Sequence, residues 1–122
     1  MRFRLLKRKL KPANLPPVPA ESFIQQADAL LKCGYTHAAG CMLRLAIEKE
    51  VRQANESLDD PLLVRTSRLI THLRGLGLLN KPTARRYQKI LDVGNKSAHG
   101  KDIEPSRVRA GIDWLSQHLH DN

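Results

Sequence analysis

The chain has 122 residues, of which 41% are hydrophobic and only 4% aromatic, and its formal net charge at pH 7 is +9. This length fits one small domain with a core of Leu, Ile, Val and Ala, and no stretch approaches the ~20 apolar residues of a membrane span. The positive charge indicates an anionic partner, with nucleic acid as the leading candidate and no membrane partner expected.

Residues 1–19 differ from the rest of the chain. They contain six basic residues and no acidic one, and the prolines from Pro12 onward prevent regular helix. The six are Arg2, Arg4, Lys7, Arg8, Lys9 and Lys11. We interpret this segment as a basic, proline-rich arm, either an electrostatic tether to nucleic acid or a solvated tail. Leu5 and Leu6 form too short an apolar run for a signal peptide, so a cytoplasmic location is expected.

Residues 20–122 are predicted to form one helical bundle. An apolar stripe at helical spacing begins at Ala20 and ends before Gly34, and Thr36 is the predicted cap of a second helix that runs to about Asn55. The middle of this second helix is apolar almost all the way round, which is typical of the most buried helix of a bundle.

Arg44 is the only charged residue within that apolar run. A guanidinium placed there needs a partner, because an unpaired buried charge is strongly destabilising. Glu48 follows one helical turn later, so an Arg44–Glu48 ion pair is predicted. A structural ion pair is favoured over a catalytic role for these two residues.

Three further helical patterns follow. The third carries apolar residues from Leu63 to Leu73, the fourth begins at Ala84 after the predicted cap Thr83, and the fifth opens at Pro105. The chain contains neither Asn-Gly nor Asp-Gly, the usual dipeptides of tight hairpins. The sequence therefore predicts an all-α fold, an antiparallel up-and-down bundle of four to five helices. The predicted core residues are Leu43, Ile47, Leu69, Ile90, Leu91, Ile112 and Leu115.

The end of the fourth helix combines several special residue types. Asn95 and His99 are four residues apart beside Gly94, which allows another backbone to approach closely. Two interpretations stay open: a half-buried polar site, or residues that simply end the helix. Helical spacing places Tyr87, Leu91, Gly94 and Ala98 on one stripe of the helix. The opposite face carries Arg85, Lys89 and Lys96 beside His99, and these three cations are predicted to contact nucleic acid.

No metal site or cofactor site is predicted. Cys33, His37 and Cys41 supply at most three ligands, and Gly34 interrupts the helix they would share, whereas structural zinc takes four. The sequence also lacks a Gly-rich phosphate loop, a Gly-x-Ser-x-Gly turn and a His-Glu-x-x-His motif, which removes most familiar enzyme classes. His118 is expected to be exposed to solvent.

The order of these features resembles the HEPN superfamily (higher eukaryotes and prokaryotes nucleotide-binding) over roughly residues 20–120. Arg44 and Glu48 form an Arg-x-x-x-Glu motif on the long helix, and Gly94, Asn95 and His99 belong to a Gly-Asn-x-x-Ala-His signature. The signature is similar to that of an uncharacterised bacterial branch often attached to restriction or other defence proteins. The resemblance implies a HEPN-like bundle that pairs as a homodimer.

The resemblance also implies roles for the signature residues. Active HEPN proteins cleave RNA without metal at a dimer interface, using an arginine, a polar residue and a histidine. Asn95 matches the polar residue and His99 the histidine, with Arg44 and Glu48 in support, but Gly94 stands where the arginine is expected. Arg44, Lys89 or Lys96 are the cations that could replace it.

Three functions therefore stay open. The first is a non-catalytic or weakly active nucleic-acid-associated module of a bacterial or phage defence or toxin-type system. The second is a metal-independent ribonuclease that uses Asn95 and His99 at a dimer interface. The third is a protein-interaction bundle that docks a larger defence enzyme.

Overall fold

The computed structural model describes residues 18–121, which form five α-helices and no strand. The helices are α1 (Ala20–Lys32), α2 (Thr36–Glu56), α3 (Thr66–Gly75), α4 (Lys81–Ala98) and α5 (Pro105–Asp121). The all-α prediction is confirmed. None of these five helices combines the length and apolar character of a membrane-spanning segment. The six basic residues of the arm lie outside the described residues, so nothing tests their predicted contacts with nucleic acid.

Helix α2 is the centre of the bundle, because it packs against each of the other four described helices. Its sequence explains this position, since apolar residues recur around most of its circumference. Its fully buried apolar residues are Ala39, Leu43, Ala46, Ile47 and Val51. One side of α2 remains accessible, where Leu45 is 37% exposed. The prediction of a central helix is confirmed, although its apolar run is not covered on every side.

Helices α2 and α4 run antiparallel. Gly94, near the end of α4, packs against Gly40 near the start of α2. Tyr87, in the first half of α4, instead shares a cleft with Glu50 in the second half of α2. Residues early in one helix therefore meet residues late in the other, as expected for an up-and-down bundle.

Helices α1 and α5 are also antiparallel, and a charged contact joins them. The Arg109 guanidinium, early in α5, donates a hydrogen bond of 2.7 Å to the Asp28 carboxylate, late in α1. At the opposite ends of the same two helices, Glu21 and His120 line one surface groove. The hydrogen bonds from Lys32 and Arg109 hold the pKa of the Asp28 carboxyl below its usual range.

All seven residues predicted to form the core are buried, with side-chain exposures of 5% or less. They belong to one continuous apolar cluster that also includes Val108 from α5 and Ile70 and Leu73 from α3. Aliphatic residues supply nearly all of this cluster, and Tyr87 is its only fully buried aromatic residue within the described chain. Aliphatic residues thus form a single core even though the sequence contains few aromatic ones.

Three predictions about helix ends are wrong. Leu63 is 97% exposed and precedes α3, which begins at Thr66. Helix α4 begins at Lys81 and is capped by Asn80, whose side-chain oxygen accepts a 2.8 Å hydrogen bond from the Thr83 backbone. Asparagine performs here the capping role assigned to Thr83, because either side chain can accept from the free N–H groups of the first turn. Thr36 is the first residue of α2, not its cap.

Helices α2 and α4 cross at very short range through two glycines. A Cβ atom added to Gly94 would lie 2.5 Å from Arg44 Cβ and 3.2 Å from the Gly40 carbonyl oxygen. A Cβ atom added to Gly40 would lie 2.7 Å from Ser97 Cβ. The distances of 2.5 Å and 2.7 Å are both too short for ordinary packing, so the crossing requires glycine at both positions. Gly94 and Ser97 thus hold the end of α4 against α2.

Replacing Gly94 with alanine is expected to lower the free energy of unfolding by about 1–3 kcal/mol, because the added methyl group forces the two helices apart. Gly75→Ala is the matched control, since nothing lies within 4 Å of a Cβ atom at this helical position. The control should be neutral or slightly stabilising, because alanine is the better helix former. Urea denaturation measures the free energy of unfolding of both variants. Equal values for Gly94→Ala and Gly75→Ala would contradict the close crossing of α2 and α4.

Candidate nucleic-acid interface on α4 and α5

Helix α4 separates an apolar face from a basic one. Its buried residues are Ala84, Tyr87, Ile90, Leu91, Gly94 and Ser97. Helical spacing predicts Ala98 on the same stripe as Tyr87, Leu91 and Gly94, but Ala98 is exposed and Ser97 is buried in its place. The Ser97 hydroxyl can occupy this position because it donates a 2.8 Å hydrogen bond to the Val93 carbonyl within its own helix.

The three cations predicted to contact nucleic acid from α4 have different surroundings. Arg85 and Lys89 are exposed and form no ion pair with any residue between 18 and 121. Lys96 lies 3.4 Å from the Asp92 carboxylate, one turn earlier on the same helix. Since that carboxylate offsets its charge, Lys96 contributes less to an anion-binding surface than the other two.

The structure adds three cations that were not predicted from the sequence, namely Lys81, Arg86 and Arg107. Arg86 and Lys89 of α4 and Arg107 of α5 line a cleft between the two helices with a volume of about 370 Å³, here called the α4–α5 cleft. A second groove of about 350 Å³ contains Lys81 and Arg85 and shares Arg86 and Lys89 with the first. The two depressions are therefore adjacent. The basic surface is defined as Lys81, Arg85, Arg86, Lys89 and Arg107.

A helical wheel of α4 alone could not identify this set. Arg86 lies about 100° around the helix from Arg85, so it falls outside a stripe drawn through residues 85 and 89. Arg107 belongs to another helix, and only the packing of α5 beside α4 brings it to the cleft. The adjacent pair of arginines was the one signal in the sequence that could have pointed to Arg86.

Aromatic packing holds Arg86 at the edge of the α4–α5 cleft. Its guanidinium carbon lies 5.7 Å from the ring centre of Trp114, within the range of a cation–π contact. Trp114 in turn stacks on His118, with ring centres 4.6 Å apart, and Tyr87 meets both rings edge-on. The prediction that His118 is exposed is wrong, because this stack leaves it partly buried.

Asn95 and His99 lie at the end of α4, and both are exposed to solvent. The prediction of a half-buried site is therefore wrong, since neither side chain enters the crossing that Gly94 makes with α2. The alternative, that these residues end the helix, agrees with the backbone: His99 is the C-cap, and its N–H donates a 3.1 Å bond to the Asn95 carbonyl. The two side chains form no hydrogen bond within the described part of the chain.

Arg44 and Glu48 form the predicted ion pair, with 3.1 Å between Arg44 Nε and Glu48 Oε1. The pair is less buried than the apolar run suggested, because the Arg44 side chain is 39% exposed. It lies beside Gly94, which contacts the Cβ of Arg44. The Arg-x-x-x-Glu motif on α2 and the Gly-Asn-x-x-Ala-His motif on α4 are thus neighbours in space.

Glu50 and Tyr87 line another cleft, and the pKa values of both are raised. Burial raises the pKa of the Glu50 carboxyl; His118 opposes this rise and Glu21 adds to it. Burial, and then the charge of Glu50, raise the pKa of Tyr87 to about 12. The Tyr87 hydroxyl therefore stays protonated at neutral pH, and the ring acts as a packing element between α4 and α5.

Residues 18–121 contain no group of three or more His, Cys, Asp or Glu side chains placed to hold a metal ion. Cys33 is exposed and Cys41 partly buried, and both are free thiols. Comparison with protein-family models, with curated proteins and with solved structures finds no match to this chain.

Proposed function

We propose that this protein is a nucleic-acid-associated helical module of HEPN type, non-catalytic or weakly active, that contacts its partner through the basic surface. Its biological setting, proposed from the resemblance alone, is a bacterial or phage defence or toxin-type system. The observation that supports binding most strongly is the position of the five cations of the basic surface. They line two adjacent depressions and form no ion pair with a described residue.

The arrangement of these cations along α4 has an energetic consequence. Three cations of α4 are spaced four residues apart, so like charges lie next to each other on consecutive turns of the helix. They are Lys81, Arg85 and Lys89. Such pairs destabilise a helix by a few tenths of a kcal/mol each. A bound phosphate backbone removes this repulsion and releases its own counterions, which favours binding. By contrast, carboxylates already neutralise Lys32, Lys96 and Arg109 elsewhere in the described residues.

The surroundings of His99 support a module without strong nuclease activity. Metal-free RNA cleavage needs a base and a cation that stabilises the charged phosphorane. Of the cations that could replace the missing arginine, Arg44 is bonded to Glu48 and Lys96 to Asp92. Lys89 lies ten residues before His99, about 15 Å along a helix. No cation of this set is therefore unpaired and adjacent to His99.

One observation favours ribonuclease activity as the second candidate. Asn95 and His99 are exposed, and their side chains have no hydrogen-bond partner within residues 18–121, so both are available to a substrate. In the family that the sequence resembles, such a site is completed by a second subunit. The homodimer and the roles of Asn95 and His99 stay predictions.

His99→Ala is expected to leave nucleic-acid binding unchanged, because this residue lies outside the basic surface. Any cleavage should disappear in the variant, since a metal-free mechanism would lose its base. The measurement incubates labelled RNA with each protein in excess EDTA and follows binding and cleavage separately. Strong cleavage by the wild type that His99→Ala abolishes would make the ribonuclease the better assignment. Loss of binding in this variant would contradict the proposed interface.

A further inference from the structure

The α4–α5 cleft differs from a simple phosphate-binding surface because its floor is apolar. Leu43, Ile90 and Gly111 are buried and form its floor, while the exposed Arg86, Lys89 and Arg107 line it above. The carboxylate of Asp92 also lines the cleft, but it is paired with Lys96. Its volume of about 370 Å³ is within the range of pockets that enclose small organic groups. A phosphodiester backbone needs charge and hydrogen-bond donors but no apolar floor. This cleft therefore fits an apolar, flat group attached to phosphate.

We infer, on the basis of the proposed function, that the α4–α5 cleft receives one unpaired nucleobase of a single-stranded nucleic acid. The base lies against the apolar floor and the planar guanidinium of Arg86, and Lys89 and Arg107 contact the flanking phosphates. Arginine planes and apolar side chains are common platforms for unpaired bases. The bases of a duplex are paired and stacked, so a duplex reaches the basic surface only through its phosphates.

The packing of Arg86 supports this role. Its cation–π contact with Trp114, which itself stacks on His118, restricts the guanidinium to the side of the cleft. A side chain held in place loses less conformational freedom when a base stacks on it. An exposed arginine that only attracts phosphate would need no such support.

Ala110→Phe tests the inference without changing charge. Ala110 is exposed on α5 and lines the α4–α5 cleft, so the larger side chain should occupy the space of the base and leave the core intact. The affinity for a short single strand is expected to fall by roughly 5- to 150-fold, as for loss of one stacked base. The affinity for a duplex of the same length should stay within about two-fold, since its phosphate contacts are retained.

Arg86→Lys is the second variant, and Arg74→Gln is the control. The lysine retains the charge but not the planar face, so single-strand affinity should fall while duplex affinity is retained. Arg74 is an exposed cation outside the two depressions, and its neutralisation should affect both ligands weakly and equally. Fluorescence anisotropy at one fixed salt concentration measures all of these affinities, and circular dichroism confirms that each variant is folded.

Uridine and thymidine homopolymers, each with its matching duplex, distinguish RNA from DNA as the source of the base. The inference would be supported if Ala110→Phe and Arg86→Lys both lost affinity for the single strand but not for the duplex, whether the strand is RNA or DNA. Equal affinities for single strand and duplex, unchanged by Ala110→Phe, would overturn it while leaving the proposed function intact. Failure of every oligonucleotide to bind would overturn both.

Discussion

Replacing Ile47 with alanine is expected to lower the free energy of unfolding by about 2–5 kcal/mol. Ile47 is fully buried in α2, the one helix that packs against all four others. The substitution removes apolar atoms from the core and leaves a cavity that the surrounding helices can only partly fill. Since the free energy of unfolding of a native protein is typically about 5–15 kcal/mol, this loss is a large fraction of the total stability.

Leu63→Ala is the matched control for this substitution. Leu63 is 97% exposed, so the same kind of truncation should change the free energy of unfolding by about 0.5 kcal/mol or less. Chemical denaturation followed by circular dichroism measures both variants. A loss below about 1 kcal/mol for Ile47→Ala would mean that α2 is not the centre of the bundle.

The fold was largely predictable because apolar residues recur at helical spacing through every long element. Ile47, Leu91 and Leu115 were placed in the core from that spacing alone, and all three are buried. The errors fall where spacing carries little information. Leu63 is apolar and fits the helical spacing of α3, but it precedes the first residue of that helix. Asn80 and Thr83 are three residues apart, and either could cap α4 by sequence alone. The hydrogen bond from the Thr83 N–H to the Asn80 side chain identifies Asn80 as the cap.

The candidate site was less predictable, because it depends on contacts between helices. Arg85 and Lys89 could be assigned to a basic stripe from α4 alone, whereas Arg107 joins them only through packing of α5. The exposure of Asn95 was also hidden from the sequence. Gly94 faces α2 as predicted, yet the next residue points away from that crossing and into solvent.

The second large expected effect is the loss of nucleic-acid affinity when the positive charges of the α4–α5 cleft are removed. Replacing Arg86, Lys89 and Arg107 together with glutamine is expected to weaken nucleic-acid binding strongly at low salt. Each phosphate contact contributes about 0.9 to the slope of log affinity against log salt for duplex DNA and about 0.7 for single strands. Removing three such contacts should therefore lower the magnitude of the slope by roughly 2–3 units.

A matched triple variant separates position from net charge. Arg65, Arg68 and Arg74 are exposed cations in or next to α3, and none of them lines either depression of the basic surface. Their replacement by glutamine removes the same three charges from the total of +9. If the location of the cations matters, this variant should retain most of the affinity and nearly the whole slope.

The salt dependence of binding to one labelled duplex, measured side by side for the wild type and the two triple variants, tests the basic surface most directly. The expected result is a steep decrease of affinity with salt for the wild type and the control, and a slope lower by roughly 2–3 units for the cleft variant. An affinity that is independent of salt, or an equal reduction of slope in both triple variants, would contradict binding at the basic surface and would favour a protein-interaction bundle.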